Sequence, residues 1–226
     1  AKLLRAERLS VLGRFSSLIL HDIRNPISIL RSYAEMALLH PADGDLVERN
    51  IRRIIDEADR LNRIAGELLD FSRGEISLSM SIVNLRELVE KAVGIMAERF
   101  TSRRIEVRTE IAFEGPVILD ADRMLRVLLN LADNSRKAMP KGGTFTIAVT
   151  KGEKQVLFEV SDTGEGMEPE VQERLFEPFY TSSMEGGTGL GMLIVKGIVD
   201  AHNGSLSFVS ARGSGTTFRI ALPLPS

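Results

Sequence analysis

The residue best placed to do chemistry is His21, which lies inside a long segment with the apolar periodicity of a helix. It is two positions, or roughly 200° around a helix, from both Ile19 and Ile23, which belong to the apolar stripe. The imidazole is therefore expected to face away from that stripe and toward solvent. An exposed imidazole is a nucleophile that needs little further activation at neutral pH.

Three neighbours of His21 support a chemical role. The Asp22 carboxylate can orient the ring and accept its Nδ1 proton, which leaves Nε2 as the nucleophile. Asn25 lies one turn further along the same face, where its amide can hold a water molecule beside the histidine. Pro26 removes a helical hydrogen bond and is expected to bend the helix here. Each neighbour alone is compatible with an ordinary surface or core histidine, so the prediction rests on their combination.

A second group of polar residues shares one face of a helix predicted over 120–139. Asn130, Asn134 and Lys137 fall at i, i+4 and i+7 among leucines. Two amide oxygens and a cation suit a magnesium-bound polyphosphate, because magnesium keeps several waters and takes few protein ligands. A solvated polar stripe is the alternative interpretation of this helix.

Two glycine-containing motifs come later. The first is Asp162-Thr163-Gly164-Glu165-Gly166, directly after a predicted strand. Its carboxylate can accept a hydrogen bond from the amino group of a base, and its glycines can let the backbone approach the ring, although many such sequences are only turns. The second is Gly186-Gly187-Thr188-Gly189-Leu190-Gly191. It opens a predicted helix, whose first amides form an anion site for phosphates.

The second glycine motif fits neither of the common phosphate-binding fingerprints. Its spacing is wrong for the dinucleotide motif, and Met192 stands where a Walker loop requires lysine. Between the two glycine motifs lie the aromatic segment 175–180 and the polar stretch 181–188. This pattern predicts a mobile lid anchored by aromatic side chains.

Composition sets limits on the class of protein. The chain has 226 residues, 43% of them hydrophobic, which is enough for one medium domain or two small ones. Its net charge is −2, so charge favours neither nucleic acid nor an anionic membrane as a partner. Cysteine is absent, which excludes disulfides and thiolate metal sites and agrees with a reducing compartment. We find no membrane span or signal peptide, and the start within a helical pattern, without methionine, indicates a fragment.

The elements that must position these residues fall into two parts. Helical periodicity over 3–39 and 46–71, separated by turn residues, predicts an antiparallel hairpin. Its apolar stripes are wider than one partner helix can cover, so we expect a homodimer in which two hairpins form a four-helix bundle. The periodicity changes within 73–82, which predicts an all-α domain over 1–75 and a second domain over 76–226.

The second part alternates helices and strands. Helices are predicted at 85–100, 120–139, 168–175 and 189–202, and strands at 104–112, 116–119, 144–151, 154–162, 204–210 and 215–222. The strands 144–151 and 154–162 are joined by a short polar turn and predict a hairpin, so the sheet is at least partly antiparallel. An α+β sandwich with helices on one face follows.

In order and spacing these motifs resemble the cytoplasmic core of bacterial two-component sensor histidine kinases. The residues from His21 to Pro26 match the H box, 130–138 the N box and 162–166 the G1 box. Phe176-Glu177-Pro178-Phe179 matches the F box and 187–191 the G2 box. The resemblance covers nearly the whole chain. It implies a dimerisation and histidine-phosphotransfer hairpin followed by an ATP-binding domain of the Bergerat type.

The resemblance also implies roles for individual residues. His21 would be autophosphorylated from ATP, Asp22 would be its general base, and Asn25 would position water during dephosphorylation of a partner. Asn134 would bind Mg²⁺, Lys137 a phosphate and Asp162 the adenine amino group. The full set of expected ATP contacts is Asn130, Asn134, Lys137, Asp162, Gly164, Gly166, Tyr180, Gly187, Thr188, Gly189, Leu190 and Gly191.

The expected partner is the receiver domain of a cognate response regulator, whose aspartate takes the phosphoryl group. We expect a cytoplasmic location for this fragment and membrane attachment only through an upstream region. The sequence departs from the family at Asp133-Asn134-Ser135, where asparagine-alanine is commoner. An ATPase of the same superfamily, of chaperone or mismatch-repair type, and a non-catalytic scaffold are the alternatives. Neither accounts for both the presented histidine and the intact ATP motifs.

Overall fold

The structure is a computed structural model that describes residues 13, 15–73, 76–113, 115–181 and 188–224. The chain divides into two compact units. The first contains the described residues up to position 73 together with 188–190. The second contains the described residues from 76 to 181 and from 191 to 224.

The first unit is a helical hairpin. Helix α1 spans Ser16–Leu39 and helix α2 spans Gly44–Arg73. The turn between them ends where the Asp43 carboxylate accepts a hydrogen bond from the Leu46 amide at 3.0 Å, which caps the first turn of α2. The prediction of two helices with a short connection is confirmed. The predicted start of the first helix at residue 3 lies outside the described residues.

The strands of the second unit form one large and one small sheet. The large sheet contains β2 (Ile105–Ile111), β4 (Gly143–Lys151), β5 (Gln155–Asp162), β6 (Ser205–Ser210) and β7 (Thr216–Pro223). Its strand order is β2-β4-β5-β7-β6, with β2 parallel to β4 and the other neighbours antiparallel. The small sheet pairs β1 (Ser81–Val83) with β3 (Val117–Leu119) in antiparallel register.

Four helices complete the described part of the second unit. They are α3 (Leu85–Thr101), α4 (Ala121–Ala138), α5 (Pro169–Glu173) and α6 (Gly191–Ala201). Asn84 caps α3 by accepting hydrogen bonds from the amides of Arg86 and Glu87, and Asp120 caps α4 by accepting one from Arg123. These side chains satisfy amides that have no partner within a helix.

The core of the second unit lies on one face of the large sheet. Phe145, Ile147 and Val149 alternate with more exposed residues along β4, and the same period of two recurs on β5 and β7. A period of two places alternate side chains on opposite faces, so one face is buried under helices and the other is not. The predicted hairpin followed by an α+β sandwich with helices on one face of the sheet is confirmed.

Three details differ from the prediction. The sequence pattern does not predict strand β1, because three residues are too few to show an alternation of apolar and polar side chains. The helix predicted over 168–175 is limited to Pro169–Glu173. The helix expected from residue 189 begins at Gly191. Within the described part of the chain, no helix combines the length and apolar character needed to cross a membrane.

Candidate functional site

On helix α1 of the hairpin, His21 is presented to solvent as predicted. Its side chain is 70% exposed, whereas that of Asp22 is 20% exposed. Nδ1 of His21 lies 3.6 Å from an oxygen of Asp22, close enough for electrostatic attraction but longer than a hydrogen bond. Asn25, one turn later, is also exposed, and helix α1 continues through Pro26. The reactive nitrogen can thus be approached from outside while the carboxylate stays beside the ring.

In the second unit, helix α4 brings Asn130 and Asn134 against the start of helix α6. The side-chain nitrogen of Asn134 lies 3.2 Å from the sulfur of Met192, which leaves the amide oxygen as the atom that can ligate a cation. The buried side-chain nitrogen of Asn130 has no hydrogen-bond partner among the described residues. A Cβ added at Gly191 would lie 3.4 Å from the Asn130 oxygen, which is van der Waals contact, so the two residues are direct neighbours.

Lys137 is held in place by an acidic neighbour. The Asp133 carboxylate lies 3.0 Å from the Lys137 ammonium and 3.1 Å from the Arg136 guanidinium. Burial raises the pKa of the Asp133 carboxyl, but Lys137 and Arg136 more than offset that effect and hold the pKa below its ordinary value. The last two turns of α4 therefore carry two cations and one carboxylate that stays ionised.

Asp162 ends strand β5 as a buried carboxylate with several donors around it. One oxygen accepts hydrogen bonds from the amides of Gly164 at 2.9 Å and Thr216 at 3.2 Å. The other accepts one from the Ser135 hydroxyl at 2.8 Å. Burial raises the pKa of Asp162, and the three hydrogen bonds partly counteract that rise. The carboxylate is thus fixed in orientation and poorly hydrated, which suits recognition of an amino group.

The two glycines of the first glycine motif are required by close approaches within the protein. A Cβ at Gly164 would lie 2.6 Å from the Ala138 carbonyl oxygen. Gly166 has a φ of +66°, and a Cβ there would lie 2.0 Å from the Ala211 carbonyl oxygen. Only glycine adopts this conformation at little cost and leaves room for the neighbouring backbone. The sequence predicts that these glycines make room for a base, whereas the close approaches in the structure are to the chain's own backbone.

The second glycine motif is described from Thr188 onward, and the predicted contact Gly187 lies outside the described residues. The Thr188 hydroxyl accepts a hydrogen bond from the Leu190 amide at 3.2 Å, and both residues are buried. Gly189 has a φ of +66°, which a residue with a side chain rarely adopts. This turn places Gly191 at the first position of α6.

The aromatic segment before the lid is built around Phe179 and Tyr180. Phe179 is buried with a φ of +63°, an uncommon conformation for a residue with a side chain. The guanidinium of Arg174 lies 4.0 Å from the centre of the Tyr180 ring, and it also pairs with Glu177 at 2.8 Å. These contacts hold the aromatic segment in place, whereas residues 182–187 of the predicted lid lie outside the described part of the chain.

Two residues that donate hydrogen bonds to Asp162, Ser135 and Thr216, are not predicted as site residues from the sequence. Ser135 stands out in the sequence only as a departure from the usual asparagine-alanine ending, and Thr216 lies outside every motif. Gly215, next to Thr216, has a φ of +78°, and a Cβ there would lie 1.9 Å from the Asp162 carbonyl oxygen. The only signal in the sequence was the turn-forming Gly213-Ser214-Gly215 before a strand. It does not say which distant residue the turn approaches.

Two family models match the chain. The one described as His Kinase A (phospho-acceptor) domain matches residues 11–76, which include His21. The one described as Histidine kinase-, DNA gyrase B-, and HSP90-like ATPase matches residues 119–226, which include helix α4 and Asp162.

Individual proteins agree with the family matches. Sensor histidine kinase ZraS of Salmonella typhi is 34% identical over 223 residues, which are 97% of this chain and 47% of that protein. Histidine kinase ThkA, solved in complex with response regulator protein TrrA, is 30% identical with a TM-score of 0.72. That similarity covers 98% of this chain and 64% of the ThkA chain.

A third similarity concerns the fold alone. Full-length ShkA in complex with AMPPNP is 24% identical with a TM-score of 0.68, and the match covers 95% of this chain and 46% of that one. The chain thus spans about half the length of the curated relatives it matches first.

Proposed function

Because this chain belongs to the two-component sensor histidine kinases and contains their catalytic core, we propose that it phosphorylates His21 from ATP and passes the phosphoryl group to a response regulator. The observation that carries the proposal is the exposed His21 with Asp22 beside it, within the segment that matches a phospho-acceptor domain. The phosphotransfer domain extends over 1–75 and the ATP-binding domain over 76–226.

The first chemical step takes place at His21. Nε2 attacks the γ-phosphorus of ATP, a nitrogen–phosphorus bond forms, and the bond from the γ-phosphorus to the bridging oxygen breaks to release ADP. The Nδ1 proton passes to Asp22, whose oxygen is 3.6 Å away in the resting hairpin. A small side-chain movement would close that gap during the reaction. Hydrogen bonds between catalytic groups are often long without substrate and shorten when it binds.

The residues of the second unit fit a magnesium nucleotide. Asn130 has a buried amide nitrogen without a partner among the described residues, which is a donor that a nucleotide oxygen can satisfy. The amide oxygen of Asn134 is a suitable ligand for magnesium, and Lys137 supplies a cation for a phosphate. When bound, magnesium neutralises part of the phosphate charge. Asp162 is the acceptor for the adenine amino group.

The remaining proposed ATP contacts are Tyr180 and the residues of the two glycine motifs. Gly164 and Gly166 shape the turn that follows Asp162, while Tyr180 flanks the predicted lid. Gly187, Thr188, Gly189, Leu190 and Gly191 are the proposed phosphate contacts, because amides at the start of a helix form an anion site.

The helical hairpin is the proposed site of phosphotransfer to a response regulator and of dimerisation. The phosphoryl group of His21 is transferred to an aspartate of a receiver domain, and the ThkA–TrrA complex supports this class of partner. Asn25 holds the water that later hydrolyses the aspartyl phosphate. Two copies assemble through their hairpins, because many large apolar side chains of α1 and α2 are exposed in a single copy: Leu20, Ile27, Met36, Leu38, Leu39, Ile51, Ile55 and Leu69.

Labelling with γ-labelled ATP and magnesium tests the proposal directly. We expect wild-type protein to acquire an acid-labile, base-stable label and His21→Gln to acquire none. The affinity of His21→Gln for an ATP analogue should stay within about threefold of wild type, or about 0.65 kcal/mol, because the histidine accepts the phosphoryl group and does not hold the nucleotide. Undiminished label in His21→Gln, or loss of its nucleotide binding, contradicts the assignment.

The separate roles of Asp22 and Asn25 can be tested with one matched pair of variants. Asp22→Asn should depress autophosphorylation first. Asn25→Ala should spare autophosphorylation and slow dephosphorylation of the regulator by about tenfold or more, which is the usual scale for a positioned orienting group. Parallel losses in both reactions for Asn25→Ala would show that Asn25 only stabilises the helix beside Pro26.

A further inference from the structure

The hydroxyl of Ser135 makes a contact that its place on a helix does not require. Serine hydroxyls in helix interiors commonly bond to the carbonyl four residues earlier. Ser135, which is 3% exposed on helix α4, instead donates to the Asp162 carboxylate at 2.8 Å, joining α4 to the end of β5. The contact links the residue directly after the proposed magnesium ligand Asn134 to the proposed adenine acceptor.

This hydrogen bond determines what Asp162 can still accept. An ionised carboxylate offers about four acceptor positions on its two oxygens. Amides of Gly164 and Thr216 occupy one oxygen, and Ser135 occupies one position on the other. One further donor can therefore be accepted on the oxygen that Ser135 touches. Without Ser135, that oxygen would have no donor among the described residues to fix its direction.

We propose that Ser135 is a positioning residue for nucleobase recognition, which holds the second oxygen of Asp162 in the direction that receives the 6-amino group of adenine. The inference rests on the proposed adenine role of Asp162 and adds a determinant of selectivity for 6-aminopurines. A hydroxyl that donates to a carboxylate keeps it an acceptor, so a 6-oxopurine, which presents an oxygen at that position, is rejected. Ser135 does not touch the nucleotide itself.

The test compares two nucleotides on the full chain by calorimetry with magnesium present. The first is ATP, and the second is purine riboside triphosphate, which lacks only the 6-amino group. We expect Ser135→Ala to weaken ATP binding by roughly three- to tenfold, the scale of one hydrogen bond. Its affinity for purine riboside triphosphate should stay within about twofold of wild type. Ser135→Thr, which keeps the hydroxyl, should recover most of the preference for ATP.

The possible outcomes separate this inference from the proposed function. If wild-type protein binds both nucleotides equally, the proposed adenine role of Asp162 and the role of Ser135 both fail. If wild type prefers ATP and Ser135→Ala keeps the full preference, only the role of Ser135 is overturned. Equal weakening for both nucleotides in Ser135→Ala shows a purely structural effect of the serine and also overturns the inference. A smaller preference in Ser135→Ala, restored in Ser135→Thr, supports it.

Discussion

Replacing Asn130 by leucine should stabilise the nucleotide-free protein and weaken its response to ATP. The side-chain nitrogen of Asn130 is buried without a partner among the described residues. Leaving a buried donor unsatisfied costs about 1–3 kcal/mol, and an apolar side chain of similar size removes that cost. With about 1 kcal/mol gained, the melting temperature without nucleotide should rise by about 2–4 °C for a chain of this length.

The effect of ATP on the same variant should go the other way. At a concentration about 100 times Kd, a ligand stabilises the folded state by about 2.7 kcal/mol. If the Asn130 nitrogen donates to the nucleotide, its loss weakens binding by about tenfold, and the stabilisation at the same concentration falls to about 1.4 kcal/mol. The ATP-dependent shift in melting temperature should therefore be roughly halved.

Thermal unfolding with and without magnesium ATP measures both effects. Asn50→Leu is the matched control, because Asn50 on α2 also has a buried amide nitrogen with no partner among the described residues but lies in the other unit. It should gain stability and keep the full ATP shift. A lower melting temperature for nucleotide-free Asn130→Leu would refute the reasoning about the buried donor. An undiminished ATP shift would refute its role as a ligand.

Three further outcomes are expected. Burial raises the pKa of Asp162, and ATP binding needs its ionised carboxylate. The ATP affinity measured by calorimetry should therefore fall as the pH is lowered through that raised pKa. Asp162→Asn should show no such pH-dependent fall. Gly166→Ala should lower the free energy of unfolding in urea by about 1–3 kcal/mol or more, because Gly166 has a positive φ and an added Cβ would clash with the Ala211 carbonyl. His202→Ala should lower the free energy of unfolding by about 1–3 kcal/mol in the same assay, because His202 forms hydrogen bonds with both the Asp120 amide and the Ile198 carbonyl. An unchanged urea midpoint in either variant would contradict the structural role given to that residue.

Local spacing was enough to predict which residues share a face. His21 is exposed because it lies opposite the apolar stripe of its helix, and the i, i+4 spacing of Asn130 and Asn134 puts both on one side of α4. Helical geometry is the same in every protein, so these relations can be derived from residue numbers alone. The order of the five motifs then indicated the family and, with it, the fold.

The environment of Asp162 was decided by the tertiary structure. Its donors Ser135 and Thr216 come from a helix and a strand far from it in the sequence, and they meet only because β5 pairs with β7 and α4 packs beside the end of β5. Likewise, the need for glycine at position 166 depends on the carbonyl of Ala211. Strand register and helix packing bring such residues together, and neither is encoded in the periodicity of any single segment.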